Sequence, residues 1–217
     1  MSPHAIASPG GVRIGHTVTS GTFSLDGQTW DVDNNVWVIG DEHECVIVDA
    51  PHSVRAILGA VGDRRLTAIL CSHAHDDHIG EVSTIRHATG APAYLHPADL
   101  VLWEQLYSTP PDRTLADGDV VRVGDVDVHV LHTPGHSRGG CCFYVPALGA
   151  VLTGDTLFQG GPGATGRSFS DFPTIIESIT TKLFALPDET VVLTGHGDAT
   201  TIGAERAHLQ EWIERGH

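Results

Sequence analysis

The chain has 217 residues, with 27 Asp+Glu against 12 Lys+Arg for a formal net charge of −15, and it carries 15 His. So acidic a chain repels phosphate backbones and anionic lipid, which argues against nucleic acid and membrane surfaces as partners; no apolar run reaches the ~18 residues of a membrane span. A chain of this length buries roughly 70% of its unfolded surface and folds without a metal or disulfide staple, so the histidines need a chemical explanation.

Apolar residues make up 41% and charged residues 18%, the balance of a globular protein. Met1–Ile6 has neither a basic n-region nor an apolar h-region, so no secretory signal is expected. Cys45, Cys71, Cys141 and Cys142 form no CxxC pair or disulfide framework and read as reduced thiols of a cytoplasmic protein. No Pro/Ser linker or charge block interrupts the chain, which reads as one domain over residues 1–217.

In chain order, Val36–Ile39 and Cys45–Val48 are apolar runs around the polar turn Asp41–Glu44, a buried hairpin. Ser53–Val61 has a helical pattern, and Leu66–Cys71 is a buried strand that stops at Ser72. Helical patterns follow near Glu81–His87 and Ala98–Tyr107. Val120–Val123 and Val126–Val130 alternate around Gly124-Asp125 as a second hairpin. Strands are expected at Cys142–Val145, Ala150–Thr153 and Val191–Thr194, and helices at Phe172–Ala185 and Ala204–Arg215. Each half runs from strands through a polar loop to a helix, the pattern of an α/β (α+β) chain with two sheets covered by helices.

The polar loops carry the chemistry. Ser72-His73-Ala74-His75-Asp76-Asp77-His78 directly follows a strand and supplies imidazole nitrogens and carboxylate oxygens, ligands for Zn²⁺ and similar ions. His73 and His75, two apart, point to one side of an extended backbone, whereas adjacent Asp77 and His78 diverge, which invites two metals. His132-Thr133-Pro134-Gly135-His136, Gly154-Asp155 and Gly195-His196-Gly197 end three further strands. Each of these ligand candidates lies beside Gly, which lets the backbone turn sharply. Asp49, at the end of Cys45–Val48, is a candidate partner for the outer nitrogen of a ligating His.

Gly161-Pro162-Gly163-Ala164-Thr165-Gly166-Arg167-Ser168 satisfies GxGxxG and nearly satisfies the P-loop pattern. Both motifs need a strand immediately before and a helix immediately after. Here Asp155–Gln159 intervenes, and Pro162 lacks an N–H for a phosphate. It reads instead as a loop beside Asp155 shaping a substrate entrance, with Arg167 able to meet an anionic substrate.

His73-x-His75-x-Asp77-His78, Gly135-His136, Gly154-Asp155-Thr156-Leu157-Phe158 and Gly195-His196-Gly197, in that order, resemble the metallo-β-lactamase-fold hydrolases over positions 35 to 200, and within them the glyoxalase II (hydroxyacylglutathione hydrolase)-like branch. The resemblance implies an αββα four-layer sandwich with the site at the edge where the sheets meet. It implies two divalent ions, zinc first with iron or manganese as alternatives. One would be held by His73, His75 and His136, the other by Asp77, His78 and His196, with Asp155 bridging. The implied reaction is thioester hydrolysis of a hydroxyacyl-thiol conjugate by a metal-bridging hydroxide, Asp77 orienting the nucleophile and accepting its proton. Full-length members of the branch carry a helical C-terminal domain that holds glutathione; 21 residues follow His196, so the resemblance is to a short form.

Acyl-homoserine lactonases share these seven ligands, which keeps lactone or ester hydrolysis as the alternative. A persulfide dioxygenase with one iron would use His73, His136 and Asp155. The absence of a Cys at position 155 argues against some β-lactamases, the charge against nucleases, and His75 against flavin-linked di-iron proteins.

Overall fold

The long apolar runs of the sequence become strands covered on both faces. The computed structural model describes residues 7–216; Met1–Ile6, read above for a leader, lies outside them. One sheet has the order β1 (Arg13–Leu25), β2 (Gln28–Gly40), β3 (Glu44–Val48), β4 (Arg65–Leu70), β5 (Ala93–Leu95) and β6 (Arg113–Thr114). Its first three strands are antiparallel and β3 to β6 run parallel. The second sheet comprises β7 (Val120–Val123), β8 (Val126–His132), β9 (Cys141–Val145) and β10 (Ala150–Gly154), continued by β13 (Val191–Thr194) and β14 (Thr200–Thr201). Between the last two groups, β11 (Leu157–Phe158) and β12 (Gly161–Pro162) form a small ribbon.

Alternation along each strand explains the layers. On β2, Trp37 and Ile39 join Val46, Val48 and Leu70 against Val128, Val130, Phe143 and Leu152 of the other sheet. Val36 and Val38 point the opposite way, into a cluster with α1 (Val54–Val61), α3 (Val82–Thr89) and α4 (Leu100–Leu106). Cys141 and Cys142 divide likewise: Cys141 faces the inter-sheet core, whereas Cys142 joins Ile175 of α5 (Phe172–Ser178), Ile202 of α6 (Ile202–Arg206) and Trp212 of α7 (Leu209–Arg215). A strand apolar on both faces is what burial between helices on one side and the facing sheet on the other requires. The arrangement is the αββα sandwich, and all four cysteines are free and buried within it.

The expected hairpins, strands and helices are present, with local differences. Ser53 caps α1, its hydroxyl accepting from the Ala56 N–H. The helix expected over Phe172–Ala185 changes to a π-helical turn at Ile179–Leu183. That expected over Ala204–Arg215 breaks between α6 and α7, and Ala98–Tyr107 opens with a 3-10 turn at Pro97–Asp99. The 13-residue strand β1 and the first half of β2 have no counterpart in the sequence reading. Their Ser, Thr, His and Gly residues dilute the apolar signal, and only scattered positions such as Ile14, Thr19 and Leu25 are buried. No helix among the described residues is long and apolar enough to cross a membrane.

Trp37 donates to the Thr194 carbonyl (3.0 Å) and Asn35 to those of Thr194 and Gly197 (3.0 Å each), stitching β2 to the end of β13. The two sheets are thereby fixed to each other at the edge where their polar loops emerge. Phe143, fully buried between them, supplies the test of this core. Phe143→Ala should cost about 3–5 kcal/mol in urea unfolding; a loss below about 1 kcal/mol would contradict its place.

Candidate metal centre

Four strand ends deliver the polar residues to one place. β4 leads into Ser72–His78, whose last residues begin the short helix α2 (Asp76–Ile79). β8 leads to His136, β10 to Asp155 and β13 to His196. Two glycines make the approach possible. Gly154 has φ 48°, and a Cβ there would lie 2.6 Å from Ser72 Oγ; a Cβ on Gly195 would collide with Asp155 Oδ1 and come within 2.9 Å of His78 Cε1.

All seven ligand candidates of the sequence reading come together. His75 Nδ1 is 3.0 Å from His73 Nε2 and 3.1 Å from His136 Nε2. His196 Nε2 is 3.2 Å from His78 Nε2 and 3.3 Å from Asp77 Oδ2. Asp155 lies between these groups, with Oδ1 3.3 Å from His78 Nε2 and Oδ2 3.5 Å from His136 Nε2 and 3.4 Å from His196 Nε2. Three overlapping triads of potential metal ligands result: His73, His75, His136; His73, His78, Asp155; and Asp77, His78, His196.

The outward nitrogens decide which way the lone pairs face. His136 Nδ1 donates to the Ala164 carbonyl (2.8 Å) and His196 Nδ1 to that of Asp33 (2.7 Å). His78 Nδ1 meets Asp49 Oδ2 at 2.8 Å. The Ser72 hydroxyl donates to Asp49 (2.7 Å) and so accepts from His73 Nδ1 (3.0 Å). With the outer nitrogen committed, each of these four rings turns its Nε2 inward, the orientation metal-ligating histidines need. Asp49 itself adopts the left-handed conformation (φ 65°), tolerable for Asp, and also accepts from the Ser72 N–H (2.7 Å).

Burial and mutual repulsion hold His73 well below the usual imidazole range, and His75 is lowered to about 3, chiefly by burial and then by His136. Both rings are therefore neutral, as ligands must be. Burial alone would lower His78 and His196, but the carboxylates outweigh it: Asp155 and Asp77 hold His78 well above its usual range, and His196 is raised to about 10. Burial would correspondingly raise Asp155 and Asp77, yet the two imidazoles keep both carboxyls low. Asp155 Oδ1 and His75 Nε2 are buried without a hydrogen-bond partner. Largely buried carboxylates facing convergent imidazoles, with one oxygen orphaned, fit the ligand set of divalent cations.

Arg167 stands at the mouth. Its guanidinium lies 4.0 Å over the Trp30 ring and 5.7 Å from that of Phe23, and Phe23 packs 5.0 Å from His75. Phe23, His75, Arg167, Leu25, His136 and Ala164 surround a cleft above the first triad. The Ser168 N–H binds Asp26 at the tip of the β1–β2 hairpin (3.1 Å). No helix follows the glycine loop directly, since α5 starts at Phe172 behind its cap Asp171, so the phosphate-loop reading stays rejected.

Two buried residues escaped the sequence reading. Asn34 turns its amide onto Asp77 Oδ2 at 3.1 Å; the polar pair Asn34-Asn35 ahead of an apolar run was its only signal. Asp99 accepts from the Ala74 N–H (3.0 Å), the Ser137 hydroxyl (2.8 Å) and the Gly139 N–H (2.5 Å). It thus clamps the residue between His73 and His75 to the residue after His136, but in sequence it reads as an ordinary first-turn acid of a helix. Removing it strands three buried donors. Asp99→Ala should cost about 2–4 kcal/mol in denaturant unfolding, with Asp99→Asn, which keeps one acceptor, costing less.

Comparison with known proteins agrees with this geometry. The family description "Metallo-beta-lactamase superfamily" matches residues 29–196. An uncharacterized protein of Aquifex aeolicus is 37% identical over 187 residues, covering 80% of this chain and 89% of the relative. The hydroxyacylglutathione hydrolase GloC of Haemophilus influenzae is 31% identical, covering 76% and 86%. Among solved structures, the BLEG-1 B3 metallo-beta-lactamase superposes with TM-score 0.74 at 30% identity, covering 88% of this chain and 97% of that one. TTHA1623, in a di-iron-bound form, gives 0.73 at 32%, covering 87% and 96%. ETHE1 from Myxococcus xanthus gives 0.74 at 27%, covering 91% and 89%. Fold, strand-end histidines and relatives agree: the chain belongs to the metallo-β-lactamase superfamily, as a metallo-hydrolase.

Proposed function

We propose that the chain is a binuclear hydrolase of thioesters that releases a hydroxy acid and a thiol from a hydroxyacyl-thiol conjugate; lactone or ester hydrolysis is the alternative. The observation that carries this reading is the pair of ligand groups joined by Asp155, with the outer nitrogens of four rings already committed. The relative named as a hydroxyacylglutathione hydrolase supports the thioester. His73, His75 and His136 would hold one ion, Asp77, His78 and His196 the other, and Asp155 both. When bound, two such ions acidify a water and polarise the substrate carbonyl. Zinc suits the nitrogen and oxygen donors, as do iron and manganese; the neighbour solved with two irons keeps iron in play.

The chain's own side chains account for the rest. Asp77, buried and kept ionised beside His78 and His196, would orient the attacking water and take its proton. Phe23 and Leu25 wall the entrance with apolar surface. Arg167, on Trp30, offers its fork to a carboxylate on the thiol portion of a conjugate. Four buried free thiols accord with a cytoplasmic setting.

The deciding experiment assays one metal-quantified sample on S-lactoylglutathione, other acyl thioesters, acyl-homoserine lactones and nitrocefin. Thioesters should give the highest kcat/KM. Fastest turnover of a lactone would move the assignment to the alternative, and oxygen uptake with a persulfide on a one-iron sample would replace hydrolysis. Asp155→Ala should lower bound metal and reduce kcat/KM by on the order of 100-fold or more; unchanged activity removes the bridging role. Arg167→Ala should raise KM for anionic conjugates by roughly 10-fold with kcat retained. An equal loss on uncharged esters would refute carboxylate recognition.

A further inference from the structure

The second ligand group is closed by a side chain outside the seven. Asn34 on β2 is fully buried, and its Nδ2 lies 3.1 Å from Asp77 Oδ2, 3.3 Å from His78 Nε2 and 3.4 Å from His196 Nε2. Those are the three atoms that face one another there. The other end of the carboxamide, Oδ1, is 2.8 Å from His52 Nε2. His52 is itself fixed: its φ is 28°, and it packs beneath Gly21 of β1, where a Cβ would collide with the ring. The adjacent Asn35 is spent differently, its amide on the Thr194 and Gly197 carbonyls and its oxygen near His16 Nε2 (2.8 Å). Only Asn34 of the pair addresses the ligand atoms.

The two ends of a carboxamide are nearly equal in size and opposite in polarity. The amino end suits a bare Asp77 carboxylate. With a cation among the three ligands, that end would direct its partial positive charge at the ion, whereas the carbonyl end is an oxygen donor of the kind divalent ions accept. His52 can receive either end, because a neutral imidazole nitrogen donates in one tautomer and accepts in the other.

We propose that Asn34 belongs to the second ion position, its carbonyl end facing the ion held by Asp77, His78 and His196, and that His52 is the positioning residue that accepts its amino end. The assignment rests on the two-ion reading above. Asn34→Leu keeps the volume and removes both polar ends; Asn34→Asp keeps the shape with oxygen at both.

The test titrates chelator-treated chain with zinc alone, counting bound ions by elemental analysis and ranking their affinities by competition with a chromogenic chelator. Thermal melts confirm folding. Wild type should bind two ions. Asn34→Leu should hold the first with unchanged affinity and bind the second about 10–100-fold more weakly. His52→Ala should weaken the second ion alone by a smaller factor, and Asn34→Asp should bind it at least as tightly as wild type. Two ions at wild-type affinity in Asn34→Leu overturn the proposal while leaving the two-ion reading intact. A wild-type chain that takes up one ion overturns that reading and this assignment with it. Should Asn34→Leu not fold, Asn34→Asp decides: retention of a tight second ion supports the assignment and its loss refutes it.

Discussion

The Asp155 carboxylate is the group around which the site is organised. It is largely buried, ionised and within 3.5 Å of imidazole nitrogens from three separate loops. Burying a charge costs several kcal/mol unless it is compensated, and here the compensation comes from His78 and His196, which hold protons that they would lose if buried elsewhere. Divalent cations would take over the charge those protons supply. The fold accommodates the cluster because β4, β8, β10 and β13 end along one edge of the sandwich, and because Gly154 and Gly195 let the backbones approach without side-chain obstruction.

The two halves of the site rest on different supports. The first triad depends on Asp99, which ties the backbone at Ala74 to Ser137 and Gly139. Its carboxyl is pushed above the usual range by burial, though the three donors it receives oppose the shift. The second triad depends on Asp49 behind His78 and on the Asp33 carbonyl behind His196. Asp49 also reaches across through Ser72 to His73, so one carboxylate in a left-handed turn orients a ring in each half. Loss of Asp99 therefore disturbs the first half first, whereas loss of Asp49 reaches a ring in both, a difference that metal stoichiometry can resolve and activity alone cannot.

Much of this was legible in the sequence for a physical reason. Strands covered on both faces read as unbroken apolar runs, and where each run stops at His or Asp the change marks a strand end exposed to a site. Leu66–Cys71 followed by Ser72–His78 shows the contrast most sharply. The β1–β2 hairpin was illegible because its strands are only partly covered, so Thr, Ser and Gly alternate with few buried positions. Asn34 and Asp99 were illegible for another reason. Their partners lie 43 and 25 residues away in Asp77 and Ala74, and a lone polar residue near a strand or helix start has a local explanation until the fold supplies a distant one.

The net charge of −15 that first argued against polyanions also bears on a small anionic substrate. Charges farther off than about 8 Å at physiological ionic strength are largely screened, so the acidic surface opposes approach only weakly and at long range. Binding of a carboxylate is then left to whatever lies at the mouth, where Arg167 sits on Trp30 beside Phe23. A guanidinium stacked on an indole loses less side-chain freedom on capturing an anion than one extended into solvent. On the proposed reading, the aromatic hairpin, absent from the strand-end motif and invisible to it, would supply substrate selection that the seven candidate ligands by themselves do not.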